Sequence, residues 1–213
     1  MKNDTENNLL KIPSRKKIAI TGGPSGGKTT LIEMLQKDLG HQIVTVPEAA
    51  TILYKGGFPR RKGSIRQKHA QRAIYFTQFE LESIFEEESP NKMIICDRGS
   101  IDGLAYWPGS EEDFFQFMKS SRRDEYKRYD FIIHLDTASQ DHYDTENPIR
   151  TETFNEAIEV NRKILQAWDG HPQRFIIPHH NEFFEKMKIS IQIVKLILNG
   201  LTFSEINAQN NFS

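Results

Sequence analysis

The chain has 213 residues, with 28 Lys+Arg against 29 Asp+Glu for a net charge of −1, and 37% hydrophobic residues. That length is enough for one domain with a real core. The balanced charge argues against a general nucleic-acid binder, no apolar run approaches the ~18 residues a bilayer span needs, and the single Cys96 excludes an internal disulfide framework or a Cys-based zinc site.

Residues 1–14 are polar and lack an apolar signal core, so a mobile tail and a cytoplasmic protein are expected, with the folded domain over 15–200 and a C-terminal tail over 201–213. Lys17 to Thr21 is a short apolar strand ending in glycines. Thr29 to Leu39 repeats Leu31, Leu35 and Leu39 at helical spacing and stops at Gly40. Gln42 to Val46 is a second β-branched run. Ser64 to Glu88 predicts a long helix with Ala70, Ala73, Ile74, Thr77, Leu81, Ile84 and Phe85 inward and Pro90 beyond its end. Met93 to Cys96 is a third strand, Glu111 to Met118 a helix, and Phe131 to Leu135 a fourth strand.

Thr153 followed by Glu156 is a capping box opening a helix through Ile158, Leu165 and Trp168 to Gly170. Arg174 to Ile177 is a fifth strand. A final helix from Asn181 is expected to turn Phe184, Met187, Ile191, Val194 and Leu198 to the core. Strands alternating with helices predict an α/β fold, a parallel sheet covered on both faces.

Gly22-Gly23-Pro24-Ser25-Gly26-Gly27-Lys28-Thr29 matches G-x-x-x-x-G-K-[ST] between a strand and a helix. Glycines let such a loop turn its amides inward, and those amides with the helix N-terminus bind phosphates. Gly23, Pro24, Ser25, Gly26, Gly27, Lys28, Thr29 and Thr30 are therefore the expected nucleotide-binding residues. Lys28 would bridge the β- and γ-phosphates and Thr29 would give its hydroxyl to Mg²⁺.

Asp97 ends the third strand, where an acid beside a phosphate loop holds Mg²⁺, and Arg98 beside it suits a phosphate or a substrate carboxylate. Glu48 takes the matching place after the second strand. It reads either as a base for an attacking hydroxyl or as a helix-start residue favouring the dipole. Ala49 to Phe79 contains no acid but holds Lys55, Arg60, Arg61, Lys62, Arg66, Lys68 and Arg72, a window suited to an anionic acceptor or an acidic lipid surface, or else a solvated helix face.

The polar stretch 138–152 is expected to be a lid, with Arg150 closing over the transferred phosphoryl and Arg162 a second candidate; the alternative is a surface loop. His134, His142, His179 and His180 lack metal-ligand spacing, and Tyr106 and Trp107 read as core aromatics or as a stacking surface.

The phosphate loop through Thr30, Val46-Pro47-Glu48-Ala49-Ala50, Gly56-Gly57-Phe58-Pro59, Asp97-Arg98-Gly99 with Asp102 and Ala105-Tyr106-Trp107-Pro108, and Asn147 to Thr153 together resemble the AAA-type P-loop ATPase/kinase domain. That domain is shared by the ribosylnicotinamide-kinase module of the NadR regulator and by a photoreceptor-channel translocation protein. Asp97-Arg98 with Ala105-Tyr106 is also similar to a thymidylate-kinase segment, and Pro47-Glu48 to the acid of deoxynucleoside kinases. The resemblance implies a five-stranded sheet ordered 2-3-1-4-5, with ATP and Mg²⁺ as cofactors.

Two functions are carried forward. One is a kinase moving the γ-phosphoryl of ATP–Mg to a nucleoside, nucleotide or ribosyl-type acceptor, with Lys28, Glu48, Asp97, Arg98 and Arg150 as the catalytic set. The other is a regulatory or trafficking protein that binds ATP or GTP together with an acidic phospholipid or protein partner. Against a guanine switch, the chain has no Asp-x-x-Gly, and Asn91-Lys92-Met93-Ile94 lacks the acid of Asn-Lys-x-Asp.

Overall fold

The computed structural model describes residues 15–61, 63–140, 153–179 and 183–210. Five strands, β1 (Lys17–Thr21), β2 (Ile43–Val46), β3 (Met93–Asp97), β4 (Phe131–Leu135) and β5 (Arg174–Ile177), pair in parallel in the order β2-β3-β1-β4-β5. Registers such as Ile20 opposite Asp97 and Thr21 opposite His134 bring the carboxyl ends of β1, β3 and β4 level. A parallel sheet needs crossovers, and these are the helices α1 (Lys28–Leu39), α2 (Ala49–Lys55), α3 (Ser64–Glu88), α4 (Glu111–Met118), α5 (Arg122–Tyr126), α6 (Phe154–Ala167) and α7 (Phe183–Leu198), with a short 3-10 helix at Ser100–Tyr106.

Because strand side chains alternate, Ile18 and Ile20 face one core while Ala19 faces the other. The first core packs Leu31, Leu35 and Leu39 of α1 against Met187, Val194 and Ile197 of α7. The second packs Ile94, Cys96 and Ile132 against Phe114, Ile164 and Trp168. No helix among the described residues is long and apolar enough to cross a membrane.

Thr153 caps α6 as expected: its hydroxyl accepts from the Glu156 amide while Glu156 accepts from the Thr153 amide. Three expectations are corrected. On α3, Ala70 is buried and Leu81 and Phe85 pack against the second core as expected, but Ile84 is exposed and Tyr75, Gln78 and Glu82 are buried instead. Glu82 holds that edge inward, 2.8 Å from Arg128 and 3.0 Å from Lys17 and accepting from the Tyr129 hydroxyl. Apolar periodicity cannot register a face held by charge.

Phe184 of α7 is 77% exposed, because Met187, Ser190 and Val194 define the inward stripe instead. Along α6, Ala157, Asn161 and Ile164 face in and Ile158 is exposed. The expected tail at 201–213 contains a further helix, α8 (Phe203–Asn210), whose Ile206 is fully buried in the first core. The lid expectation falls chiefly on 141–152, outside the described residues.

Candidate nucleotide and acceptor site

The loop joining β1 to α1 lies at the carboxyl edge of the sheet, beside the ends of β3 and β4. Gly22 has φ 128°, and a Cβ there would lie 2.0 Å from the Leu135 carbonyl oxygen, so glycine is required both for the dihedral and for the close approach to β4. Ser25, at φ 57°, is a rare non-glycine in the left-handed region, as expected where successive amides must curl inward around an anion. Lys28 is the first residue of α1, and its ammonium donates to the Gly23 carbonyl at 2.6 Å. Burial, aided by the charge of Arg98, pushes its pKa down to about 7. Thr29 and Thr30 are exposed on the same mouth.

Asp97 is the last residue of β3. Burial and then the neighbouring Glu48 charge push its carboxyl up to about 6. A dication would relieve both penalties. Glu48 stands immediately before α2 but makes no side-chain cap to it. It accepts instead from the Thr51 hydroxyl and from Arg98, Nε to Oε1 at 3.2 Å. Burial opposes ionisation, but Arg98 and the Thr51 hydrogen bond outweigh it and hold the carboxyl below its usual range.

Both readings of Glu48 fit this geometry: its carboxylate stands at the N-terminus of α2, where negative charge favours the helix dipole, and it also lines the cleft. Arg98, itself at φ 82°, has its guanidinium turned inward: Nη1 donates to the Gly22 carbonyl at 2.7 Å and lies 3.6 Å from Asp102. It organises the Glu48 side of the site from within.

These groups line one cleft of about 1010 Å³. At one end are Pro24 to Thr30, His179, Phe183 and Lys186; at the other are Gln71, Ile74, Tyr75 and Gln78 of α3, with Tyr54, Arg60 and Tyr106. The glycine cradle, the exposed Thr29 hydroxyl and the Asp97 carboxylate together form a donor set that fits a triphosphate with a hard, oxygen-liganded cation.

Arg150 lies outside the described residues, as do His142, His180 and Lys62. Arg162 is exposed, ion-paired to Glu159 at 2.7 Å, and does not line the cleft. The basic window is partly absorbed: Lys68 pairs with Asp113 at 2.6 Å, and Arg72 lies over the Phe76 and Phe117 rings. Trp107 is a core residue whose indole donates to Asp113 at 2.7 Å, whereas Tyr106 reaches the cleft. No cluster of three or more His, Cys, Asp or Glu suited to a metal occurs among the described residues.

Sequence reasoning missed several site residues. Asp102, quoted above only as part of a motif, is buried and accepts from the Thr21 hydroxyl at 2.6 Å and the Trp168 indole at 2.7 Å, tying β1 and α6 to the turn that carries Arg98. Asn161 accepts from the Gly23 amide at 2.9 Å. Its signal was present, a lone amide on the face shared by Ala157 and Ile164. Lys186 left no comparable signal. Its ammonium donates to the Asp136 carbonyl at 2.5 Å, and burial lowers its pKa to about 8.

A family model described as AAA domain matches residues 17–186. No curated protein sequence matches the chain. Among solved structures, a thymidylate kinase from Candida albicans superposes with TM-score 0.57 at 14% identity, covering 88% of this chain and 92% of that one. A deoxyadenosine kinase from M. mycoides, with bound dATP, superposes with TM-score 0.55 at 14% identity, covering 85% of this chain and 100% of that one. At such identities the likeness establishes a shared fold.

Proposed function

This chain belongs to the AAA domain family of the model matching residues 17–186, and on that premise we propose that it is a small-molecule kinase. It takes ATP with Mg²⁺ and moves the γ-phosphoryl to a nucleoside, nucleotide or related ribosyl acceptor. The observation that carries this reading is the Glu48 carboxylate, held ionised by Arg98 in the cleft that also contains Lys28. A protein that merely held nucleotide would have no need of a second, separately organised carboxylate at that place. The folds shared with a thymidylate kinase and a deoxyadenosine kinase support the same acceptor class.

In this reading the loop amides from Ser25 to Thr30 hold the phosphates, and the positive end of α1 adds to their field. Lys28 moves from the Gly23 carbonyl to the transferring phosphoryl, where the triphosphate charge keeps it protonated. Thr29 and Asp97 would hold Mg²⁺, which neutralises charge on the β- and γ-phosphates when bound. Glu48 accepts the proton of the attacking hydroxyl, and Arg98 keeps that carboxylate aimed. Gln71, Gln78, Tyr75 and Tyr106 wall the acceptor end.

The switch reading on an acidic lipid surface has less to draw on, since Lys68 and Arg72 of the basic window are engaged by Asp113 and by aromatic rings. A cytoplasmic location accords with the kinase reading.

Glu48→Gln is the decisive variant. It should leave the affinity for ATP–Mg within about twofold while turnover on the best acceptor falls at least tenfold, the low end of what a positioned base contributes. Undiminished turnover would remove Glu48 from the mechanism.

A further inference from the structure

One peptide plane in the phosphate loop is held from both sides. The Gly22 carbonyl accepts from Arg98 Nη1 at 2.7 Å, and the Gly23 amide of the same peptide donates to Asn161 Oδ1 at 2.9 Å. A peptide is a rigid plane, so these two contacts fix its rotation about its long axis. That rotation is otherwise cheap here, because both flanking residues are glycine and no Cβ resists a flip. A turned plane would aim a carbonyl oxygen where the loop needs a donor.

Asn161 is itself held so that its amide has one orientation. Its Oδ1 also accepts from His134 Nε2 at 2.9 Å, and its Nδ2 donates to Asp136 Oδ1 at 2.9 Å. Reversed, its NH₂ would face two other donors while its oxygen faced a carboxylate. Asn161 is 9% exposed, and His134 is fully buried with Nε2 also 3.3 Å from Asp136. On the other side, Arg98 is anchored by Glu48 at 3.2 Å and Asp102 at 3.6 Å.

We propose that Asn161 is a positioning residue of the phosphate loop, and that with Arg98 it clamps the Gly22–Gly23 peptide so that the acceptor side and the nucleotide side of the cleft are set by one plane. This rests on the nucleotide-binding reading above and extends it. Gly23 is also where the Lys28 ammonium docks through its carbonyl, so displacement of this residue moves the anchor of the phosphate-binding lysine too.

The test measures the dissociation constant of the magnesium complex of a non-hydrolysable ATP analogue, with the melting temperature recorded in parallel. Asn161→Leu removes the acceptor at similar volume and should weaken binding about tenfold, the order expected when one buried donor loses its partner. Ile164→Val, a fully buried position on the same helix, should lower the melting temperature while leaving that constant within twofold. Asn161→Asp alone sets an oxygen against Asp136 and should also weaken binding. Pairing it with Asp136→Asn reverses the donor and acceptor without changing total charge, and should restore affinity to within about twofold.

Wild-type affinity in Asn161→Leu would overturn the clamp. If that variant does not fold, the paired exchange decides: affinity no better than in Asn161→Asp overturns the clamp. Absence of any nucleotide affinity in the wild-type chain would instead overturn the functional reading on which it rests.

Discussion

Asp97, the proposed metal-holding carboxylate, is kept at a cost in stability. Its carboxyl is raised to about 6 by burial and by Glu48, so between its ordinary pKa near 3.8 and 6 the folded chain binds more protons than the unfolded one. Stability from this group is therefore fully present below about pH 4 and declines as pH rises through 6. At pH 7 the shift corresponds to about 3 kcal/mol of destabilisation. Asp97→Asn should raise the melting temperature by several degrees at pH 7, at roughly 2–4 °C per kcal/mol for a chain of this size, and by much less at pH 4. The same variant should lose the magnesium dependence of nucleotide binding. A pH titration of melting temperature for the two proteins checks the first statement, and nucleotide titrations with and without EDTA check the second.

Helix α3 carries its own instruction in polar residues. Glu82 is 1% exposed and is met by Lys17, Arg128, the Tyr129 hydroxyl and the Gln78 amide. A buried charge so surrounded is a weak source of net stability but an expensive one to break, because removing one partner strands the others. Glu82→Leu should cost about 3 kcal/mol or more in urea unfolding, although it replaces a charge with an apolar side chain at a buried position. The loss should also be felt at the cleft, since Gln78 lines the acceptor end and donates to Glu82. Helix α6 is simpler: Thr153→Ala should cost about 1 kcal/mol through loss of the cap.

At the scale of the whole molecule, the loop after β1, Asp97 at the end of β3 and Asp136 after β4 share the carboxyl edge of the sheet, so a bound nucleotide would be read as folding stability. Nucleotide that binds only the folded chain stabilises it by mass action, about 2.7 kcal/mol at a hundredfold excess over Kd. ATP–Mg should therefore raise the melting temperature by several degrees. Lys28→Met should remove that rise while leaving the ligand-free protein folded, because relieving a buried ammonium whose pKa is depressed to about 7 does not weaken the core. A Lys28→Met protein that still shows the full shift would contradict the site.

Local chemistry was enough to locate the strands, the phosphate loop, the capping box at Thr153 and the carboxylates at Glu48 and Asp97. Each depends on side-chain alternation, on dihedrals reserved for glycine, or on neighbours within a few positions of the chain. The five-strand order followed from family resemblance and is met in the sheet. The inward edge of α3 at Glu82 depends on Tyr129 and Lys17, 47 and 65 positions away, and the meeting of Asn161 with Gly23 spans 138 positions, while the exposure of Phe184 and the burial of Ile206 are settled only by packing in the folded chain. Charges and amides choose such partners one pair at a time, in three dimensions, and leave no period along the chain. The split of Arg98 between Glu48 and Gly22 is of this kind, a choice between acceptors that exists only once β1, β2 and β3 lie side by side.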